Sequence, residues 1–328
     1  MKYLLISVLT MVLHASGFAQ QESIVNDAVW YDTDGNEIWN NGGAMLQIGD
    51  TFYWVGFKTG GGGGGMAMYS SSDLMNWKNE GNPCPESDFS PYVSTGWMGR
   101  PGLFYNKSTN KYIITWEAKK KDWKRHKLGF AVSDVITGPY TFVRAMYGPD
   151  KVSFGDMGVY QEGDNAYLVT TVDLDNGKTD NGLNSGIGIY KLSSDFLSIE
   201  SRVVRFDRAY REAHNIIKKD GVYYWMMSET RGWRSSPTHY LTATSLEGPW
   251  SEDNRLKTSP SSPDSYNTQH DFVIPVAGPE STTWLYVGDR YSQHHGIGAG
   301  RNIFLPITWD DDVPTLEWRE SWTIDMAN

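Results

Sequence analysis

Residues 213–229, AHNIIKKDGVYYWMMSE, set the architecture because their pattern recurs. An apolar run, a Lys-Asp-Gly turn and a second run of Tyr, Trp and Met form a β-hairpin signature. GAMLQIGDTFYWVGF repeats it from Gly43, GLFYNKSTNKYIITWEA from Gly102, MGVYQEGDNAYLVTTVD from Met157 and HDFVIPVAGPESTTWLYVGD from His270. Most copies are followed by further strand-like runs, as in MAMYSSSDLMNW (66–77), LGFAVSDVITGPYTF (128–142), IGIYKLSSDFLSI (187–199) and HYLTATSLEGPW (239–250). A fixed period is the mark of a repeat architecture. Helical periodicity is nearly absent, so the chain reads as all-β: a single-domain five-bladed β-propeller over residues 20–328, with four strands to each blade. A two-sheet sandwich is the alternative, and the regular spacing argues against it. SIVNDAVWYD (23–32), ahead of the first copy, is the candidate strand to complete the last blade and close the ring.

The first nineteen residues carry one Lys, an apolar run and a small-x-small ending at Gly17-Phe18-Ala19. They read as a secretory signal peptide cleaved after about Ala19, which implies export to the periplasm or the extracellular space. The apolar run is too short for a membrane anchor. Cys84 is the only cysteine, so an internal disulfide is impossible and packing must supply the stability. A net charge of −10, one unit more negative once Lys2 leaves, argues against nucleic acid or an anionic membrane as partner. The 14 Trp and 19 Tyr fit either a β-rich core or sugar-stacking surfaces.

A polar residue stands just before each expected inner strand: Asn41, Arg100, Asp156, Glu212 and Gln269, spaced 56–59 residues apart. In a propeller the innermost strands line the axis, so these five converge on one face. Two carboxylates, a guanidinium and two carboxamides suit a polyhydroxylated ligand and a proton transfer to it. Enclosed near Asp156, Glu212 is expected to have a raised pKa, as a general acid acting on a glycosidic oxygen requires. Asp156 would keep the charge beside Arg100. A solvated rim of hairpin turns is the plain alternative.

Several stretches resemble glycoside hydrolase family 43, and within it the exo-β-1,3-galactanase subfamily, subfamily 24. REAHNIIKKDGVYYWMMSETRGW (211–233) is similar to its Arg-Glu-Ala acid motif and downstream Gly-Trp. SFGDMGVYQEGDNAYLV (153–169) resembles its Asp-Met segment. YNTQHDFVIPV with WLYVGDRY resembles its fifth-blade Gln motif and Gly-Asp-Arg-aromatic strand, and DTDGNEIWNNGGAML (32–46) its first blade. The resemblance implies an inverting enzyme with Glu212 as general acid, Asp156 tuning and orienting it, and Gln269 on the water-activating side. The family at large has an Asp base where this chain has Asn41, and the subfamily lacks that Asp as well. One departure concerns the substrate: the subfamily carries a Glu before Arg-Pro, and here that place is Gly99. Glu117 and Glu229, at the ends of second strands, are candidates to compensate, to supply a base, or simply to pair with basic residues.

Trp97, Trp233 and Tyr291 are candidates to stack on a sugar face, or are blade core. TGGGGGGM (59–66) lacks a phosphate-loop Lys and reads as a loop over the pocket mouth or an ordinary surface loop. DLDNGKTDNG (173–182) matches a calcium loop loosely, and turn formation explains it more simply, so no cofactor or metal is required. His294 and His295 match no zinc spacing and read as a turn or sugar-contacting pair. The resulting expectation is a secreted exo-glycosidase on β-1,3-galactan or arabinogalactan-type carbohydrate. A non-catalytic carbohydrate-binding propeller and a family 43 enzyme of other specificity, such as an α-L-arabinofuranosidase or β-xylosidase, are the alternatives.

Overall fold

The computed structural model describes residues 20–58, 65–123, 125–173, 185–207, 209–278, 281–291 and 302–324. Five antiparallel sheets follow one another along the chain, each ordered from an inner to an outer strand. Blade 1 holds Asn41–Ile48, Thr51–Phe57, Met66–Ser71 and Lys78–Gly81. Blade 2 holds Met98–Asn106, Lys111–Ala118, Lys127–Ser133 and Thr141–Met146, and blade 3 holds Ser153–Glu162, Asn165–Asp173, Ser185–Leu192 and Ile199–Asp207. Blade 4 holds Arg211–Lys219, Val222–Glu229, Thr238–Ala243 and Asn254–Arg255, and blade 5 holds Gln269–Ala277, Thr282–Asp289, Asn302–Asp310 and Val313–Glu317. The inner strands pack side by side in cyclic order, that of blade 5 against that of blade 1. This is the five-bladed β-propeller that the repeat implies.

The core lies between the blades. Both faces of a blade are covered, so its middle strands are apolar at nearly every position, and the period of two sorts their side chains to opposite neighbours. In blade 4, Trp225 and Met227 pack toward blade 3 while Tyr224 and Met226 pack toward blade 5. Trp54 and Trp77 fill the seam between blades 5 and 1, and Trp116 that between blades 1 and 2. Most of the aromatic surplus is therefore core.

Ring closure differs from the expectation. Blade 5 forms its own fourth strand through a hairpin in which Asp310 faces Val313, and Lys257–Ser259 adds in parallel outside it. The N-terminal segment is not a blade strand. Ile24–Val25 pairs only with Ser321–Trp322 in a separate two-stranded latch. Asn26 ties this latch to blade 5, donating to the carbonyls of Phe304 (2.9 Å) and Arg319 (2.8 Å) and accepting from the Phe304 N–H (3.0 Å). Trp322 and Ile24 then plug the seam between blades 5 and 1.

Each inner strand also carries a β-bulge near its first residues, between Asn41 and Ala44, Gly99 and Gly102, Phe154 and Met157, Glu212 and Asn215, and His270 and Phe272. The five polar residues of the sequence repeat thus lie within the inner strands, at the bulges, and not ahead of them. A bulge bends the strand and re-aims its side chains. Gly42, Arg100 and Ala213 take left-handed φ values of 50°, 42° and 56° there.

Candidate active site

At the bulge end of the axis lies a cavity of about 170 Å³, lined by Phe57, Trp97, Gly99, Arg100, Glu117, Asp156, Glu212, Gly232, Trp233, Gln269 and Tyr291. That leaves room for a hexose ring. Every blade contributes to its wall.

Arg100 organises the floor. It is 4% exposed, and its position in the blade 2 bulge swings the guanidinium across the axis. Its Nε donates to Asp156 Oδ2 (2.8 Å), Nη1 to Asp271 Oδ1 (3.2 Å), and Nη2 to Gln269 Oε1 (2.8 Å) and the Tyr291 hydroxyl (3.3 Å). Burial by itself would lower the arginine pKa, but Asp156, Tyr291, Asp271 and Asp289 outweigh it and hold the group fully charged.

Gln269 joins that floor to Glu212. Its Oε1 accepts from Arg100 and from Tyr291 (3.0 Å), and its Nε2 donates to Glu212 Oε1 (2.7 Å) and Ser228 Oγ (3.2 Å). Both ends of the amide are committed. The resemblance implied Gln269 on the water-activating side; in the structure its Nε2 also lies directly against Glu212 Oε1.

The Glu212 carboxyl is pushed up to about 8, first by burial and then by the nearby charge of Asp156, against the opposing pull of Arg100, the Arg231 N–H and Gln269. Oε1 accepts from both the Arg231 N–H (3.2 Å) and Gln269. The proton of the neutral acid therefore belongs on Oε2.

Two acids beneath the floor escaped the sequence reading. Asp271 accepts from the Gly43 N–H (2.9 Å) and from Arg100; Asp289 accepts from Asn41 (3.1 Å), Asn302 (3.0 Å), the Gly42 N–H (2.9 Å) and Tyr291 (3.1 Å). Burial raises the pKa of both, and Arg100 opposes it. Their signal lay in strand alternation: Asp271 is two residues after Gln269, and Asp289 pairs across from Gln269 in the blade 5 hairpin. Beside them His214 and His270 are buried and neutral, the first lowered to about 3 by burial and Arg100.

The other expected site residues divide. Trp97, Trp233 and Tyr291 form the aromatic wall together with Phe57, which the sequence did not single out: Trp233 meets Tyr291 edge-on at 4.8 Å and Trp97 at 5.8 Å, and Phe57 lies 5.8 Å from Trp97. Glu117 lines the cavity, its Oε1 against His126 Nδ1, and burial raises its pKa against the pull of His126. Asn41 is corrected from a cavity residue to a buried support of Asp289, because the blade 1 bulge turns it below the floor. Glu229 is likewise outside the cavity lining, paired with Arg231 (2.5 Å) and His239 (3.4 Å). In the candidate calcium stretch Asp173 ends a blade 3 strand 3.8 Å from Arg125. The signal peptide, Gly60–Gly64 of the glycine run, the rest of the calcium stretch, and His294 and His295 lie outside the described residues. No group of three or more His, Cys, Asp or Glu fit for a metal occurs among the described residues.

Comparison with known proteins agrees with this architecture. Solved structures similar to the chain include a β-1,3-galactosidase of the same glycoside hydrolase family (25% identity, TM-score 0.79, 93% of this chain and 64% of that one). They also include the exo-β-1,3-galactanase of Phanerochaete chrysosporium with galactose (26%, 0.79, 93% and 69%). A further β-1,3-galactosidase, with galactodeoxynojirimycin, is 25% identical over 92% of this chain and 100% of its own, at a TM-score of 0.78. The chain thus spans less than two thirds of the first of these proteins. A search of curated protein sequences found no match. The model of glycosyl hydrolases family 43 matches residues 41–314, five blades from the first inner strand to the last outer one, and the chain belongs to that family.

Proposed function

We propose that the protein is an exported, exo-acting, inverting glycosidase that releases galactose from the ends of β-1,3-galactan or arabinogalactan-type glycans. The observation that carries this reading is Glu212: a carboxyl raised to about 8, inside a cavity with room for a sugar ring. It is protonated at neutral pH, as a group that donates to a glycosidic oxygen must be. A small cavity floored by Arg100 and Gln269 favours cleavage at a chain end. The likeness to proteins described as β-1,3-galactosidases and exo-β-1,3-galactanases supports the choice of sugar.

In this mechanism the galactosyl ring stacks against Trp97 and Trp233, and the Oε2 proton of Glu212 passes to the leaving oxygen as the glycosidic bond breaks. Asp156 raises the proton affinity of Glu212 through its charge. Gln269 holds Oε1, so that the free edge of the carboxyl faces the substrate. Inversion further requires a water on the opposite sugar face, with about 6.5–9.5 Å between the acid and the group that activates it. Incubation with β-1,3-galactan, with the released anomer followed by NMR, tests the reading. Release of α-galactose first is expected; release of the β anomer, or the absence of galactose, overturns it.

A further inference from the structure

Blade 2 contains an arrangement that this mechanism leaves unused. Gly99 and Glu117 face each other as a cross-strand pair at the cavity wall. A Cβ at position 99 would stand 2.8 Å from Glu117 Oε2 and 3.2 Å from two ring carbons of Trp97. The two positions therefore share one volume: the Glu117 carboxylate fills the space that any side chain at 99 would need. Its Oε1 rests on His126 Nδ1, in the residue just before the third strand of the blade, which fixes the carboxylate from behind. Glu117 is 4% exposed, yet it borders the same cavity as Glu212 and Asp156.

Keeping a carboxylate at a nearly dry wall is costly unless it is paired or bonded, and among the described residues Glu117 has the half-buried His126 as its ionic partner and the Trp97 side chain as a hydrogen-bond donor. A sugar ring changes that balance, because each hydroxyl is a donor and a carboxylate is an acceptor with several free sites. We infer that Glu117, braced by His126 and admitted by the bare backbone of Gly99, accepts hydrogen bonds from hydroxyl groups of the sugar and so orients and selects the ring. It is a substrate-binding residue on the blade 2 wall. The inference rests on the proposed galactosidase reading for the identity of the sugar.

The experiment measures galactose binding by calorimetry in a Glu212→Gln parent, where turnover is removed, and kcat and KM on β-1,3-galactan in the active chain. The substitutions are Glu117→Gln, Gly99→Glu and the exchange Gly99→Glu with Glu117→Ala. Loss of one hydrogen bond to a charged group corresponds to roughly 10–100-fold in affinity. Glu117→Gln, which keeps shape and fold, is expected to weaken galactose binding and raise KM by that factor. Gly99→Glu alone is expected to do the same through the clash with Oε2, and the exchange, which returns one carboxylate to the same space, to recover most of the loss. Glu117→Gln within twofold of the parent in affinity and KM overturns the inference, as does a fall confined to kcat. The galactosidase reading is judged separately by galactose release from the unmodified chain. A chain that binds galactose through Glu117 and cleaves no galactan keeps the inference and discards the reading; a parent that binds no galactose discards both.

Discussion

At the level of single residues, the proposed mechanism turns on one proton on Glu212. Its pKa lies well above the ordinary carboxyl value of 4.5, at about 8, so the carboxyl holds its proton below that pH and loses it above. The expected kcat/KM profile falls as pH rises through about 8, and Glu212→Gln is expected to lower kcat by about 10²–10⁴-fold without that limb. Steady-state kinetics across pH checks both. The same shift sets a stability slope: between about pH 4.5 and 8 the folded chain holds a proton that the unfolded chain has lost, so Glu212 makes folding progressively less favourable as pH rises. Glu212→Gln should therefore melt higher than the parent, by a margin that grows from pH 5 to pH 8, as calorimetric melts would show. In the proposed mechanism Gln269 acts through Glu212. Its N–H favours the ionised carboxylate, so Gln269→Leu is expected to move the alkaline limb upward while reducing kcat/KM. A merely structural loss would leave the limb in place.

Among the elements, the inner strands carry the information. Five bulges in equivalent places turn otherwise regular strands toward the axis. The convergence leaves some backbones nearly touching. A Cβ on Gly158 of blade 3 would come within 1.6 Å of the His214 carbonyl oxygen of blade 4. Gly158→Ala must push the two strands apart, at a cost of about 3 kcal/mol, measurable by denaturant unfolding. That cost concerns backbone spacing; it differs from the cavity left when a core aromatic is truncated. Glu229 shows the limit of reading an element from sequence. It ends the second strand of blade 4 as Glu117 nearly ends that of blade 2, yet it pairs with Arg231 and His239 and takes no part in the cavity.

For the whole molecule, closure of the ring depends on the seam between blades 5 and 1, where Ile24–Val25 meets Ser321–Trp322. The latch contributes only two residue pairs, and its stabilising part is Trp322, 1% exposed and bonded through Nε1 to the Phe304 carbonyl (2.9 Å). Trp322→Ala is expected to cost about 3–5 kcal/mol. Hydrogen exchange should then rise first at Phe272 and Leu285, which line this seam, and not at Ile113 and Leu168 between blades 2 and 3. Uniform loosening of all seams would contradict the proposed latch.

The repeat, its phase and the five polar residues were legible in the sequence, because periodicity is a local property: each copy must form the same hairpin and bury the same faces. Glu212, Arg100, Asp156 and Gln269 could be picked out from that phase alone, and the aromatic candidates from their positions around the strands. Pairing across the axis was beyond it. Whether Asn41 faces the cavity or Asp289, whether Gln269 stands across from Glu212 or against it, and whether the N-terminal segment is a blade strand or a latch all depend on how a bulge turns a strand and where the ring closes. Those outcomes bring together residues more than two hundred positions apart, such as Gly43 and Asp271 at 2.9 Å. No pattern within a single repeat encodes such a distance, since it is set by five blades packing at once.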